Sequence, residues 1–207
     1  MASIQKDPII LDLSAYNKGF NPEILKAKAH AVILRCQYGT YEDTKFREFK
    51  ELASSTGIPW TPYMFWLANV DAEKQIRLFM KLTGHYEGSK WIFDGKFGAW
   101  MDMEKQTRPV SMSKTTLGAK WQDFVKLFKE ITGMKIGVYT SPGWWDANMP
   151  DTSLVKSMNI LLWVAHWGVT SPILPKDWRR HPDTTWELHQ HSADRNQMGA
   201  FFGIASR

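Results

Sequence analysis

The stretch Gly98-Ala-Trp-Met-Asp-Met-Glu-Lys105 sets how the rest of the chain is read. Two carboxylates, Asp102 and Glu104, interrupt an otherwise apolar run. On a β-strand, side chains two apart share one face, roughly 6–7 Å apart along the strand. Asp and Glu are uncommon within strands and costly to bury. Two on one face therefore mark either a functional site or the polar face of an exposed edge strand. The flanking segments decide between these.

Working outward, apolar strands alternate with helical patterns. Pro8–Ser14 reads as a buried strand with Asp12 near its C-terminal end. Asn21-Pro22 reads as the start of a helix through Ile24, Leu25 and Ala29. Ala29–Cys36 is a second strand, and Asp43 is expected to cap a helix bearing Phe46, Phe49, Leu52 and Ala53, closed by Gly57. Ile58–Trp66 is a third strand, with Pro59 and Pro62 tolerable near its start. Asp71 opens a helix with Ile76, Phe79 and Met80 inward and Gly84 at its end, and 85–97 reads as a loop. Beyond the opening stretch, Ser113 caps a long helix carrying Trp121, Phe124, Val125, Phe128 and Ile131, with Gly133 after it. Met134–Thr140 is the fifth strand, Ser141–Trp145 a loop, 153–158 a short helix, Asn159–His166 the sixth strand and Thr184–Gln190 the seventh.

Seven such strands predict a parallel α/β fold, and eight units would close a barrel of TIM type. Gly199–Arg207 falls where an eighth strand should begin, so an irregular barrel with its last strand missing or truncated is expected, as one catalytic domain over 1–207. An open doubly wound sheet is the alternative. The chain has neither a Gly-x-Gly-x-x-Gly nor a Gly-x-x-x-x-Gly-Lys-Ser/Thr motif, which weighs against its nucleotide-binding forms.

Composition narrows the function. The 207 residues are 43% hydrophobic and 23% charged, as in a water-soluble globular protein. No apolar run reaches membrane-spanning length, so no membrane insertion is expected. The N-terminus lacks the apolar stretch of a secretory signal, implying either another route of release or a signal already removed. A single cysteine, Cys36, excludes an internal disulfide and a cysteine zinc cluster. The net charge of +5 favours anionic partners, but no run of five like charges supports a nucleic-acid tail. Eleven tryptophans exceed ordinary use, and flat rings stack on sugars as well as fill cores.

In a parallel barrel the C-terminal strand ends converge on one mouth, where catalytic groups sit. Asp12 closes strand one, Tyr63 and Phe65 strand three, Asp102 and Glu104 strand four, Tyr139 strand five and Gln190 strand seven. Three acids among aromatics suit cleavage of a glycosidic bond: one acid protonates the leaving oxygen, and another carboxylate stabilises the cationic carbon. Metal binding is the competing use of such acids. The histidines show no His-Glu-x-x-His pattern, and His189 with His191 reads more readily as hydrogen-bonded structure.

The chain resembles the glycoside hydrolase family 25 lysozymes, the Chalaropsis-type muramidases. The resemblance rests on motifs in order: Asp12-Leu-Ser; Arg35 through Gly39 with Asp43 and Phe46; Pro59 to Phe65; Trp100-Met-Asp-Met-Glu104; Gly137-Val-Tyr-Thr-Ser141; Leu162-Trp-Val-Ala165; and Trp186-Glu-Leu-His-Gln190. It implies a β/α barrel that hydrolyses the β-1,4 bond between N-acetylmuramic acid and N-acetylglucosamine. By motif match Glu104 is the general acid/base, Asp102 orients the substrate's 2-acetamido group or stabilises the cationic transition state, and Asp12 is a third acid. Tyr63, Phe65, Trp66, Tyr139, Trp163, Trp167, Gln190 and Arg35 are expected to bind substrate. For the tryptophans a core role competes evenly, and Arg35 is expected either to pair with Asp12 or Asp102 or to hold its loop. The implied protein is a monomer acting on bacterial peptidoglycan without cofactor or metal, in the manner of a phage endolysin that accumulates in the cytoplasm before release. A carbohydrate-binding barrel without catalysis and a hydrolase of chitin-like polymers remain alternatives.

Three features depart from the family pattern. The family's last strand carries an Asp in a Val-Asp-x-Asn-like segment, for which Asp194, in the loop after strand seven, reads as a poor substitute. Pro62 stands where the third strand usually has Gly. The insertion around His85–Phe97 is unusual.

Overall fold

The computed structural model describes residues 9–17, 29–84, 97–181, 186–192 and 202–204, together with Glu23, Leu25 and Ala27. The described strands form one sheet: β1 (Ile10–Leu13), β2 (Ala31–Tyr38), β3 (Tyr41–Glu42), β4 (Trp60–Phe65), β5 (Phe97–Asp102), β6 (Lys135–Thr140), β7 (Leu162–Ala165), β8 (Leu188–Gln190) and β9 (Phe202–Ile204). Their order is β1-β2-β4-β5-β6-β7-β8-β9, with β3 paired to β2. Seven of them, β1, β2, β4, β5, β6, β7 and β8, run parallel. The order follows the chain without reversing, which excludes the doubly wound alternative, where strand order turns back at a switch point. β9 also comes against β1, so the ends of the sheet approach and the sheet is curled.

The tail was expected to fall short of an eighth strand. It supplies β9 instead, but antiparallel to β8, with Leu188 opposite Ile204 and Gln190 opposite Phe202. A parallel partner needs a crossover of a dozen or more residues, whereas an antiparallel return needs only a short loop. Only eleven residues separate Gln190 from Phe202.

Strand alternation makes two apolar layers. Ile10, Ile33, Tyr63, Trp100, Tyr139, Trp163 and Leu188 point inward and form one buried cluster. Leu11, Val32, Leu34, Met64, Met101, Val138, Leu162 and Val164 point outward against the helices. Both faces are covered, so the parallel strands read as continuous apolar runs. Complete burial of each large apolar side chain contributes about 1.5–3 kcal/mol.

The longer described helices are α1 (Phe46–Thr56), α2 (Ala72–Thr83) and α3 (Lys114–Thr132), followed by the shorter α4 (Pro142–Asn148), α5 (Leu154–Ser157) and α6 (Lys176–Arg179). Asp71 caps α2 by accepting from the Lys74 N–H at 2.8 Å, and Ser113 caps α3 by accepting from the Thr116 N–H at 3.0 Å. Gly57 and Gly133 close α1 and α3 with φ of 71° each, a left-handed conformation that other residues adopt at a cost. Three expectations are corrected. Asp43 stands two residues before the N-cap of α1, which is Lys45: its Oδ1 accepts from the Lys45 N–H at 2.9 Å, outside the helix, and its Oδ2 pairs with Arg35. Met80 is 41% exposed rather than inward. Ser141–Trp145 begins helix α4 rather than forming a loop: Ser141 Oγ accepts from the Trp144 N–H at 3.3 Å and Pro142 occupies the first turn, both helix-start features.

Pro62 is buried within β4, opposite Leu34 of β2. β5 pairs with β4 only from Tyr63 onward, so Pro62 stands before that ladder begins and its missing N–H interrupts nothing there. The helix start at Asn21-Pro22 and the insertion at 85–96 lie outside the described residues.

Candidate active site

Register places the site. Phe65 of β4, Asp102 of β5, Tyr139 of β6 and Trp163 of β7 lie side by side across the sheet, all pointing inward near the C-terminal strand ends. Asp12 comes from β1, which pairs with β2 through Asp12 and Ile33. Together with Arg35, Tyr63 and Glu104 they line a cavity of about 390 Å³ whose wall also includes Ser14, Tyr16, Tyr38 and Gln106. Eight of the eleven residues expected at the site meet here.

Glu104 is not on the strand. β5 stops at Asp102, and Glu104 stands on the bend just beyond. Alternation nevertheless persists: Met103 is buried outward, and its N–H donates to the Tyr139 carbonyl at 2.9 Å. Two threonines hold this turn. Thr107 Oγ1 accepts from the Glu104 N–H at 3.0 Å, and Thr140 Oγ1 donates to the Met103 carbonyl at 2.9 Å. Neither was singled out from sequence; a Thr three residues after a candidate acid was the available signal for Thr107.

A second cavity, of about 440 Å³, shares Glu104 and Tyr139 with the first. Its other walls are Lys105, Ser141, Pro142, Gly143, Trp144, Ala165, His166, Trp167 and Ile173. Trp167 is thus at the site but on this side. Gln190 is buried beneath, where its Oε1 accepts from the Tyr139 hydroxyl at 2.7 Å and from Trp167 Nε1 at 3.0 Å. Trp163, 1% exposed and edge-on to Tyr63 and Trp100, forms the floor of the first cavity rather than an open stacking face.

Trp66 is the expectation the structure overturns. It follows Phe65 and so points to the opposite side of the sheet, where it is buried against Phe124 of α3 with ring centroids 5.7 Å apart. Of the two alternatives for Arg35, the structure shows the loop-holding one: its Nε pairs with Asp43 Oδ2 at 2.6 Å rather than with Asp12 or Asp102. The same Asp43 oxygen accepts from the Ala15 N–H at 3.1 Å, which ties the loop after β1 to β2. Tyr16, unremarked in the sequence, lies over the Arg35 guanidinium with 4.8 Å to the ring centroid and is 82% exposed at the rim. His189 lies away from both cavities, with Nε2 2.8 Å from the His166 carbonyl oxygen. Asp194 lies outside the described residues.

The electrostatics favour protonated carboxyls. Burial raises Asp12 from 3.8 to about 7, against smaller opposing pulls from a Tyr63 hydrogen bond and Arg35. Burial raises Asp102 well above the carboxylate range, and the charges of Glu104 and Asp12 push it further. Burial also raises Glu104, opposed by its hydrogen bond with Asp102. Glu104 is exposed at the mouth of the cavity, while Asp102 is buried. Both shifts favour the protonated form, and the push is greater on the more buried Asp102. Asp12 Oδ1 and Asp102 Oδ1 are buried without a hydrogen-bond partner, an unfavourable state that a substrate's N–H or hydroxyl would relieve. Buried acids that keep a proton beside an open cleft can donate to a leaving oxygen and steady a developing positive charge.

Comparisons with known proteins bear on the family and the fold. The model of glycosyl hydrolases family 25 matches residues 11–200. Lysozyme M1 of Streptomyces globisporus is 24% identical over 204 residues, covering 95% of this chain, which spans 65% of that protein's length. Among solved structures, a muramidase from Acremonium alcalophilum superposes with a TM-score of 0.79 at 18% identity, covering 97% of this chain and 94% of that one. The catalytic domain of endolysin ply40 from bacteriophage P40 of Listeria monocytogenes gives 0.66 at 19% identity, covering 98% and 94%. At these identities the structures speak to the fold; the family match spans both strands that carry the acids and most of the chain. This chain belongs to glycosyl hydrolases family 25.

Proposed function

We propose that the protein is an N-acetylmuramidase that cleaves the β-1,4 bond between N-acetylmuramic acid and N-acetylglucosamine in bacterial peptidoglycan. The observation that carries the reading is the acid pair Asp102 and Glu104 in one cavity, with Glu104 where that cavity meets a second. Glu104, open to the cleft, gives its proton to the glycosidic oxygen. Asp102, fixed beside it with one oxygen unpartnered, orients the 2-acetamido group, whose carbonyl oxygen bonds to the anomeric carbon as the glycosidic bond breaks. Water then adds to that carbon as its bond to the acetamido oxygen breaks, which restores the acetamido group, and Glu104 takes the water's proton. Asp12, held by Tyr63, hydrogen-bonds the same sugar. Tyr63, Phe65, Tyr139 and Arg35 wall the sugar in. The curled sheet is read as an irregular barrel of TIM type, in one catalytic domain that works as a monomer at the cell wall without cofactor.

The test is release of new ends from purified cell walls. The expected result is loss of turbidity with muramic acid at the new reducing ends, identified by mass. New glucosamine ends would point to a different bond, and binding to walls without any new ends would favour a non-catalytic carbohydrate-binding barrel.

A further inference from the structure

The acid stands where the strand that carries it has already ended. β5 stops at Asp102, yet a proton donor must be held to a fraction of an ångström of its target. As far as Met103 the neighbouring strands supply hydrogen-bond partners. The Trp66 N–H donates to the Asp102 carbonyl at 3.2 Å, and the Met103 N–H donates to the Tyr139 carbonyl at 2.9 Å. Along a parallel strand such bonds turn to one neighbour and then the other, so Glu104 should next face the chain leaving β4. There the Ala68 N–H donates to the Thr107 carbonyl at 3.0 Å instead. Thr107 fills the place between: its own N–H donates to the Glu104 carbonyl at 3.0 Å, and its Oγ1 accepts from the Glu104 N–H at 3.0 Å.

We propose that Thr107 is a positioning residue for catalysis, whose hydroxyl stands in for the missing strand and fixes the direction in which Glu104 projects. The proposal rests on the muramidase reading, in which Glu104 is the proton donor, and adds to it the residue that aims the donor.

Thr107 is suited to hold a neighbour still. It is completely buried, so its hydroxyl has no water to turn to. Its other contact, with the Asp102 carbonyl, is long at 3.5 Å, which leaves the Glu104 N–H as the main partner. A β-branched side chain is stiff about its first torsion, and the bonds at the Thr107 N–H and carbonyl keep its backbone from turning. From the opposite side Thr140, the last residue of β6, donates to the Met103 carbonyl at 2.9 Å. The backbone is thus gripped on both sides just where the ladder fails, while the Glu104 side chain reaches the open cleft.

Kinetics on soluble glycan strands, with hydrogen exchange, tests the role. Thr107→Val keeps the shape and removes the acceptor. It should lower kcat at least about tenfold with KM within twofold. Burial raises Glu104 towards its protonated form, so a loosened carboxyl that reaches water should lose its proton earlier and move the alkaline limb to lower pH. The groups facing it, Asp12, Arg35, Tyr63, Asp102, Tyr139 and His166, and Lys105 beside it, are all unchanged in this variant. Thr107→Ser, which restores the hydroxyl, should recover kcat to within threefold and return the limb. In the unsubstituted protein the Glu104 amide should exchange at least about a hundredfold more slowly than in an unfolded chain, although it lies beyond the strand. A Val variant with normal kcat, a loss of kcat with an unmoved limb, a Ser variant as weak as Val, or an unprotected Glu104 amide would each overturn the proposal. The exchange measurement needs no variant to fold. An unsubstituted protein that releases no muramic ends, with the amide protected, would instead overturn the muramidase reading.

Discussion

Asp12 is buried with one oxygen bonded to Tyr63 and the other without a partner. Such a group opposes folding whenever it must ionise. Unfolded, it loses its proton near 3.8; folded, near 7. Between those values the folded state keeps a proton that the unfolded state has shed, so this contribution to stability falls as pH rises through the window and is restored on acidification. The full difference is about 4 kcal/mol. Asp12→Asn should therefore raise the melting temperature by several degrees at pH 8 and change it little at pH 4, while wall lysis falls; an equal shift at both pH values would show that burial of the charge is not the cause. Glu104→Gln should lower lysis by about 10²–10⁴-fold with an unchanged melting profile, and lysis near the normal rate would remove Glu104 from the acid's role. The raised Asp102–Glu104 pair also sets a pH limb. As pH climbs past the point where the pair loses its proton, the donor is lost, so the rate should fall on the alkaline side; Glu104→Asp, if active, should move that limb, and an immovable one would assign it elsewhere.

At the scale of elements, the sheet acts as a sorter. Neighbours along a strand go to opposite faces, so Phe65 enters the cleft and Trp66 goes under α3. Trp66→Ala should cost about 3–5 kcal/mol in chemical denaturation, the usual loss for a large buried aromatic, with lysis per folded molecule kept within twofold. A specific loss of activity in folded protein would return Trp66 to the site. Helix α4 shows the same dependence on surroundings. Buried Asp177 accepts from Trp145 Nε1 at 2.8 Å and from the Thr152 N–H at 3.2 Å, tying α6 to α4, whose first turn walls the second cavity. The strands and capped helices were legible because apolar period and cap chemistry are local signals. Helix α4 was misread because Trp-Trp after Pro-Gly resembles a loop, although Ser141 and Pro142 already held the helix-start pattern.

At the scale of the molecule, parallel strands taken in chain order bring their C-terminal ends together, and this makes one cleft from residues as distant as Asp12 and Trp163. The net charge of +5 acts over the same scale. Bacterial walls are anionic, and the screening length shrinks from about 30 Å at 0.01 M salt to about 8 Å at 0.15 M. Initial lysis rates should thus drop several-fold over that range; a rate indifferent to salt would show that long-range attraction contributes nothing to wall binding.

The sequence alone determined the succession of strands and helices, the acids at the strand ends and the family resemblance, because period, capping and motif order are properties of neighbouring residues. It also placed Asp102 and Glu104 correctly in one cleft, though the strand ends between them. The tertiary structure decided what depends on residues far apart in the chain. It turned Asp43 from a helix cap into the partner of Arg35, brought Tyr16 to the rim, and made Gln190 a buried support rather than a wall. It gave the tail an antiparallel strand against β8. It also split the cleft into an acidic and an apolar side. These follow from which faces meet when the sheet curls, and burial and pairing at such meetings are set by the whole fold rather than by local sequence.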